Sequence, residues 1–141
     1  MRFDERIKRF LIIGFSAALV NLLLMALFVE VLGFKTYFMK NIANVLAIEI
    51  SITYNFIFQR AWTWKDAPKK VGNRLIAQFI SFNLAAFTGM AIRIVFFAIL
   101  EWWGVFYLLN VVFGIGLAAT VDFILYDKFV FRRTANDKQP L

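Results

Sequence analysis

The stretch "NFIFQRAWTWKD", residues 55–66, closes a long apolar run with an amide, a cation and two tryptophans. A second stretch, "DFILYDKFVFRR", residues 122–133, repeats its plan at an offset of 67. Each marks a junction where apolar sequence gives way to aromatic and basic residues. That is the pattern of a helix leaving hydrocarbon for the headgroup layer.

The rest of the chain fits that reading. It has 141 residues, 62% hydrophobic and 18% aromatic, with a mean hydropathy of +0.72. Soluble domains are usually about 45–50% apolar. Basic side chains outnumber acidic ones 16 to 9, for a net charge of +7. Such a surplus suits nucleic acid or anionic lipid, and the apolar composition selects lipid and sets nucleic acid aside. Cysteine and histidine are both absent, which removes disulfides, thiol nucleophiles, the commonest metal ligand and the usual neutral-pH base. No catalytic residue, metal or cofactor is expected.

A membrane-spanning helix needs about 20 apolar residues, and four such runs are present, at about 10–32, 37–58, 75–103 and 106–125. The first follows "MRFDERIKRF", which is like the basic region of a signal peptide, but the apolar run is too long for a cleavable segment and reads as a retained helix. Residues 59–74, with "KDAPKKVGN" inside, form the one substantial loop, and 126–141 form a tail. Thirteen of the cations fall at the amino terminus, in this loop or in the tail, against Lys35 and Lys40 on the other side and Arg93 inside the third run. By the positive-inside rule both termini and the middle loop are cytoplasmic.

The halves also resemble each other. "EVLG" (30–33) matches "EWWG" (101–104), and "YFMKN" (37–41) matches "YLLN" (107–110). A hairpin returns to its starting side, so two copies are parallel repeats about an axis along the membrane normal. The expected fold is an all-α membrane protein of four transmembrane helices in two parallel-repeat helical hairpins, as a single domain.

The polar residues are the functional candidates. Trp62, Trp64, Phe129 and Phe131 suit an interfacial aromatic belt, with Arg60 and Lys128 at the same depth. Asn55 and Asp122 lie deeper, where unpaired polar groups are costly. An acceptor beneath a cation, twice over, suits a pair of lipid-phosphate sites, and anchoring of helix depth is the plainer reading. In the second run Asn41, Asn44, Ser51 and Asn55 recur at helical spacing with Ile48, as glue between helices or as a polar path for a sugar. Glu49, midway along, is either a hydrogen-bonded acid or a proton or sugar site. Arg93 either snorkels or pairs with Glu30 or Glu101, or it receives a phosphate in the outer half. Asn110, Gly114, Ala118 and Asp122 form a run with small residues that allows close helix approach.

The junction residues Asn55, Phe56, Phe58, Arg60, Trp62, Thr63 and Trp64, followed later by Lys128, Phe129, Val130 and Phe131, resemble the signatures of the GtrA family, over nearly the whole chain. Asp122 stands where many members have Asn, and Asp127 where a basic residue is common. The resemblance implies a four-helix protein of the bacterial cytoplasmic (inner) membrane. It also implies a polyprenyl-phosphate-linked sugar as ligand, such as undecaprenyl-phosphate glucose, moved to the outer leaflet for O-antigen or cell-wall glycosylation. Asn55 and Arg60 would then belong to the lipid-phosphate region.

Three functions follow. A flippase would use Asn55, Arg60, Lys128 and Arg93 for phosphate and the polar path for the sugar, with no P-loop to hydrolyse nucleotide. A scaffold for a polyprenyl-phosphate glycosyltransferase would depend on the basic loop instead. A proton-coupled exporter of small cations would use Glu49, against the cationic inner rim. Each repeat has two spans, so a homo-oligomer is expected to complete a wall around a sugar.

Overall fold

The structure is a computed structural model that describes residues 2–132. Arg133 and Lys138, counted among the tail cations, lie outside the described residues. Four long helices account for nearly all of the described chain. Helix α1 spans Phe3–Ala26 and runs on through a π-helical turn, Leu27–Val31. Helix α2 spans Tyr37–Phe58 with a π-turn at Gln59–Thr63, α3 spans Asn73–Trp102, and α4 spans Tyr107–Leu125 with a π-turn at Tyr126–Val130. All four are long and apolar enough to cross a membrane, and the chain is a multi-pass membrane protein.

The chain divides after Asp66 into two compact units, Met1–Asp66 and Ala67–Leu141. The first is the α1–α2 hairpin and the second the α3–α4 hairpin. Each turns on a glycine in the left-handed region, Gly33 and Gly104, both at φ 75°. In the second, the Val105 amide reaches back to the Leu100 carbonyl at 3.0 Å, a Schellman closure that only glycine accommodates without strain. In the first, the Phe34 amide bonds Phe28 O at 3.0 Å, one residue further back, because the helix ends in a π-turn. Thr36 then caps α2 by accepting the Met39 amide at 3.3 Å.

Helical backbone extends past the expected spans at the end opposite these turns. Helix α1 begins at Phe3, and α2 stays helical to Thr63, so the loop expected from residue 59 opens only after that. The cause is a buried polar layer. The Gln59 side-chain amide donates to the Phe10 carbonyl at 3.2 Å, and Thr63 Oγ1 donates to Gln59 Oε1 at 2.5 Å. Both residues are fully buried. A π-turn holds one extra residue per turn and rotates these side chains toward α1. Trp64 closes the layer edge-on to Phe10, with ring centroids 6.2 Å apart. Outside it, Arg6 pairs with Asp66 at 2.9 Å, and Arg9 donates to the Trp62 carbonyl at 3.2 Å with its guanidinium over the Trp62 ring.

The second hairpin builds the same layer from different chemistry. Tyr126 and Val130 stand where Gln59 and Thr63 do, and Phe131 stands where Trp64 does. Tyr126 stacks on Phe82 at 4.2 Å, and Phe131 meets Phe82 edge-on at 6.2 Å. The amide now comes from the other helix, Gln78 Nε2 donating to Val130 O at 3.0 Å. Burial repeats at an offset of 67 on the second helix of each hairpin: Ala43 with Asn110, Ala47 with Gly114, Phe56 with Phe123. On the first helix the offset is 72: Phe10 with Phe82, Ile13 with Ala85, Ala17 with Gly89. The "YFMKN" and "YLLN" stretches open α2 and α4 in turn, at offsets of 69 and 70 rather than 67.

Replacing Gln59 by Leu removes the bond to Phe10 O and leaves Thr63 without its acceptor. We expect a loss of about 1–3 kcal/mol, read from unfolding in mixed micelles. Trp62→Ala, on the outward side of the same turn, is expected to stay within about 0.5 kcal/mol of the parent.

Candidate functional site

Small residues set the seam of each hairpin. In α2 the buried line is Ala43, Ala47 and Ser51, and Ser51 donates to its own helix at Ile48 O, 2.8 Å. The polar stripe expected along α2 therefore splits. Asn41 and Asn44 are exposed, Asn41 bonding Tyr37 O at 2.8 Å, while Ser51 is in the seam and Asn55 is half-buried at its edge. A helix packs through whichever face lets backbones approach, and in lipid that face is marked by small side chains more than by polar ones. Glu49 is exposed on the far side, in a shallow groove with Ile50, Thr53, Tyr54, Ile57 and Phe58.

Asn55 and Asp122 occupy the same register in their hairpins. Each has its Oδ1 buried and without a hydrogen-bond donor among the described residues. In the second hairpin the reason for the close fit is visible across the seam. A Cβ on Gly89 would stand 2.7 Å from Asp122 Cγ and overlap Oδ1. The glycine thus lets the carboxyl lie directly against the α3 backbone. Sequence reasoning named Asp122 and missed Gly89, because nothing along the chain shows which residue of an antiparallel neighbour stands opposite. Asn110, further along the seam, is fully buried and donates to Phe97 O at 2.9 Å.

Arg93 is exposed on α3, and its aliphatic stem crosses Gly114, whose Cβ position lies 3.3 Å from Arg93 Cγ. Among the described residues no carboxylate pairs with it. Glu30, one of the partners considered from sequence, stands instead 4.0 Å from Lys35. At the open ends, Arg60 is half-buried beyond the Asn55 level and Lys128 is exposed. The four junction aromatics divide. Trp62 and Phe129 are exposed (41% and 67%), while Trp64 and Phe131 are 2% and 4% exposed and complete the interior layers. Only the outward pair is therefore free to meet an interface as expected, and the buried pair packs inside each hairpin.

Two helical hairpins with matched polar acceptors are thus in place, and residues 9–137 match the family model "GtrA/DPMS, transmembrane domain". The chain belongs to the GtrA/DPMS transmembrane family. This GtrA/DPMS chain is also similar to a curated protein named dolichol-phosphate mannosyltransferase, from Pyrococcus furiosus, at 33% identity over 121 residues. The alignment covers 86% of this chain and 32% of that protein, so the chain spans about a third of the length of the relative it matches.

Gly89→Ala is expected to destabilise the second hairpin by about 1–3 kcal/mol through overpacking. Asp122→Ala in the same chain should recover most of that loss, since the clash is with its carboxyl alone. A double-mutant cycle on unfolding in detergent checks this, and additive effects would mean that the two residues do not touch.

Proposed function

We propose that this GtrA/DPMS chain binds a polyprenyl-phosphate-linked sugar at the cytoplasmic face and moves it to the outer leaflet. In this reading the amino terminus, the segment after Thr63 and the tail face the cytoplasm of a bacterial cell, as the distribution of cations favours. The observation that carries it is Arg93, a cation at membrane depth with no ion-pair partner among the described residues and a glycine-made bed for its stem. A charge so placed is costly unless it snorkels to the interface, pairs, or serves an anion, and the flippase reading takes the last of these. A lipid phosphate is an anion that stays in the membrane.

Arg60 in the first hairpin and Lys128 in the second would each receive a lipid phosphate at the inner interface, below the exposed ring of Trp62 or Phe129. Asn55 and Asp122 would lie beneath the cations as polar groups without a partner of their own among the described residues of the hairpin, and Arg93 would meet the phosphate deeper in the second hairpin. Asn41, Asn44 and Glu49, exposed along α2, would line the polar path, with the apolar prenyl tail remaining in lipid. A homo-oligomer would complete the wall of that path.

A second reading has its own support. The similar protein is named as a transferase and is about three times the length of the aligned segment, so a membrane part working with a polyprenyl-phosphate glycosyltransferase is the alternative. Recruitment would rest on Lys65, Lys69 and Lys70 rather than on Arg93.

Native-mass titration with polyprenyl-phosphate glucose separates the two. On the flippase reading Arg60→Ala and Arg93→Ala each weaken binding about tenfold or more, roughly 1.4 kcal/mol, while Glu49→Gln leaves binding intact and slows exchange between leaflets. Equal affinity in parent, Arg60→Ala and Arg93→Ala would remove both cations from the site. Loss of transferase capture in a chain with Lys65, Lys69 and Lys70 changed to Gln, with lipid affinity unchanged, would favour the scaffold.

A further inference from the structure

The second hairpin carries an acid between two cations along one axis. Lys128 lies six residues beyond Asp122 toward the open end, roughly 9 Å along the helix. The stem of Arg93 rests on Gly114, eight residues the other way, roughly 12 Å. Gly89 brings the α3 backbone against the Asp122 carboxyl, whose Oδ1 is buried with no donor among the described residues. Across the seam, α3 has no titratable side chain between Arg74 and Arg93. On α4 and its π-turn the titratable neighbours are Tyr126, one turn away, then Asp127 and Lys128.

This order poses a difficulty for an anion. Lys128 and Arg93 both attract a phosphate, and Asp122 lies between them in axial order, in the seam of the same hairpin. An ionised carboxylate there repels the phosphate, and a low-dielectric setting strengthens that repulsion. A protonated carboxyl does the opposite, since its O–H donates a hydrogen bond to a phosphate oxygen. In the first hairpin the same register holds Asn55, an amide that is neutral at every pH and also has a donor to offer. The two hairpins differ at this position by one titratable proton.

We propose that Asp122 is a proton-binding site linked to the lipid phosphate, taking up one proton as a phosphodiester-linked sugar lipid occupies the second hairpin. The carboxylate accepts the proton from water, the new O–H donates to the phosphate oxygen, and the proton returns to water when the lipid leaves. No other bond changes. The proposal rests on the lipid-phosphate reading above and adds a regulator to it. Linkage is reciprocal, so the lipid binds more tightly at acid pH, and affinity falls as pH rises through the titration of Asp122.

The test uses the full chain in lipid nanodiscs, with polyprenyl-phosphate glucose as the probe. Its phosphodiester keeps a single negative charge across the mildly acid to mildly alkaline range, so any pH dependence belongs to the protein. For the parent we expect affinity to fall by up to tenfold for each pH unit within the titration window, the limit for one linked proton. Calorimetry in buffers of different ionisation heat should report proton uptake on binding. Asp122→Asn, which places in the second hairpin the amide already present in the first, should give a flat profile and no uptake. A parent profile that is flat, or one that survives unchanged in Asp122→Asn, overturns the proposal while the lipid reading stands. Absence of binding by both proteins at every pH overturns the lipid reading, and this proposal with it.

Discussion

A helix in hydrocarbon satisfies its own backbone but leaves every polar side chain to find a partner inside the protein. That constraint organises both hairpins. Each shuts its open end with a side-chain amide bonded to a carbonyl of the opposite helix, Gln59 to Phe10 O in one and Gln78 to Val130 O in the other. The π-turns at Gln59–Thr63 and Tyr126–Val130 turn the required residues inward. Aromatic rings then cover the bonded layer, Trp64 over Phe10 and Phe131 over Phe82. The open ends are therefore held by polar and aromatic contacts, where little apolar burial is available in lipid.

Against that background the unsatisfied groups stand out. Asn55 and Asp122 keep an acceptor oxygen buried without a donor among the described residues, in the same register of the two hairpins, as Gln78 Oε1 and Asn110 Oδ1 also do elsewhere in the second. Gly89 and Gly114 are shaped around Asp122 and the Arg93 stem, so both charged side chains are accommodated by their neighbours. Groups that are fitted sterically yet left unpaired are what a site for a polar or charged ligand requires. The proposed ligand, a polyprenyl-phosphate sugar, combines an anion, hydroxyls and an apolar tail.

Much of the fold could be read from residues 55–66 and 122–133 together with the apolar runs. Length and hydropathy define a membrane span almost by themselves, and the two junctions expose the repeat. The site was legible only in part. Asn55, Asp122 and Arg93 were visible because polar residues in apolar runs are conspicuous. The burial of Trp64 and Phe131 was not, since a tryptophan at a membrane boundary reads equally as an anchor or as a lid. The phase of α2 was also hidden. Asn41 and Asn44 suggested a polar seam, whereas the seam follows Ala43 and Ala47 one helical face away. Gly89 could not have been found before α3 and α4 were aligned, because its meaning lies in what stands across from it.

A flippase made of these hairpins must move a phosphate-bearing lipid unaided. The direct measurement is leaflet-resolved exchange of polyprenyl-phosphate glucose in vesicles that contain this protein and no transferase. Exchange well above that of protein-free vesicles, and lost in Arg93→Ala, is the predicted result. Exchange no faster than in protein-free vesicles, with the lipid still bound, would contradict it and leave the hairpins as the membrane seat of another enzyme.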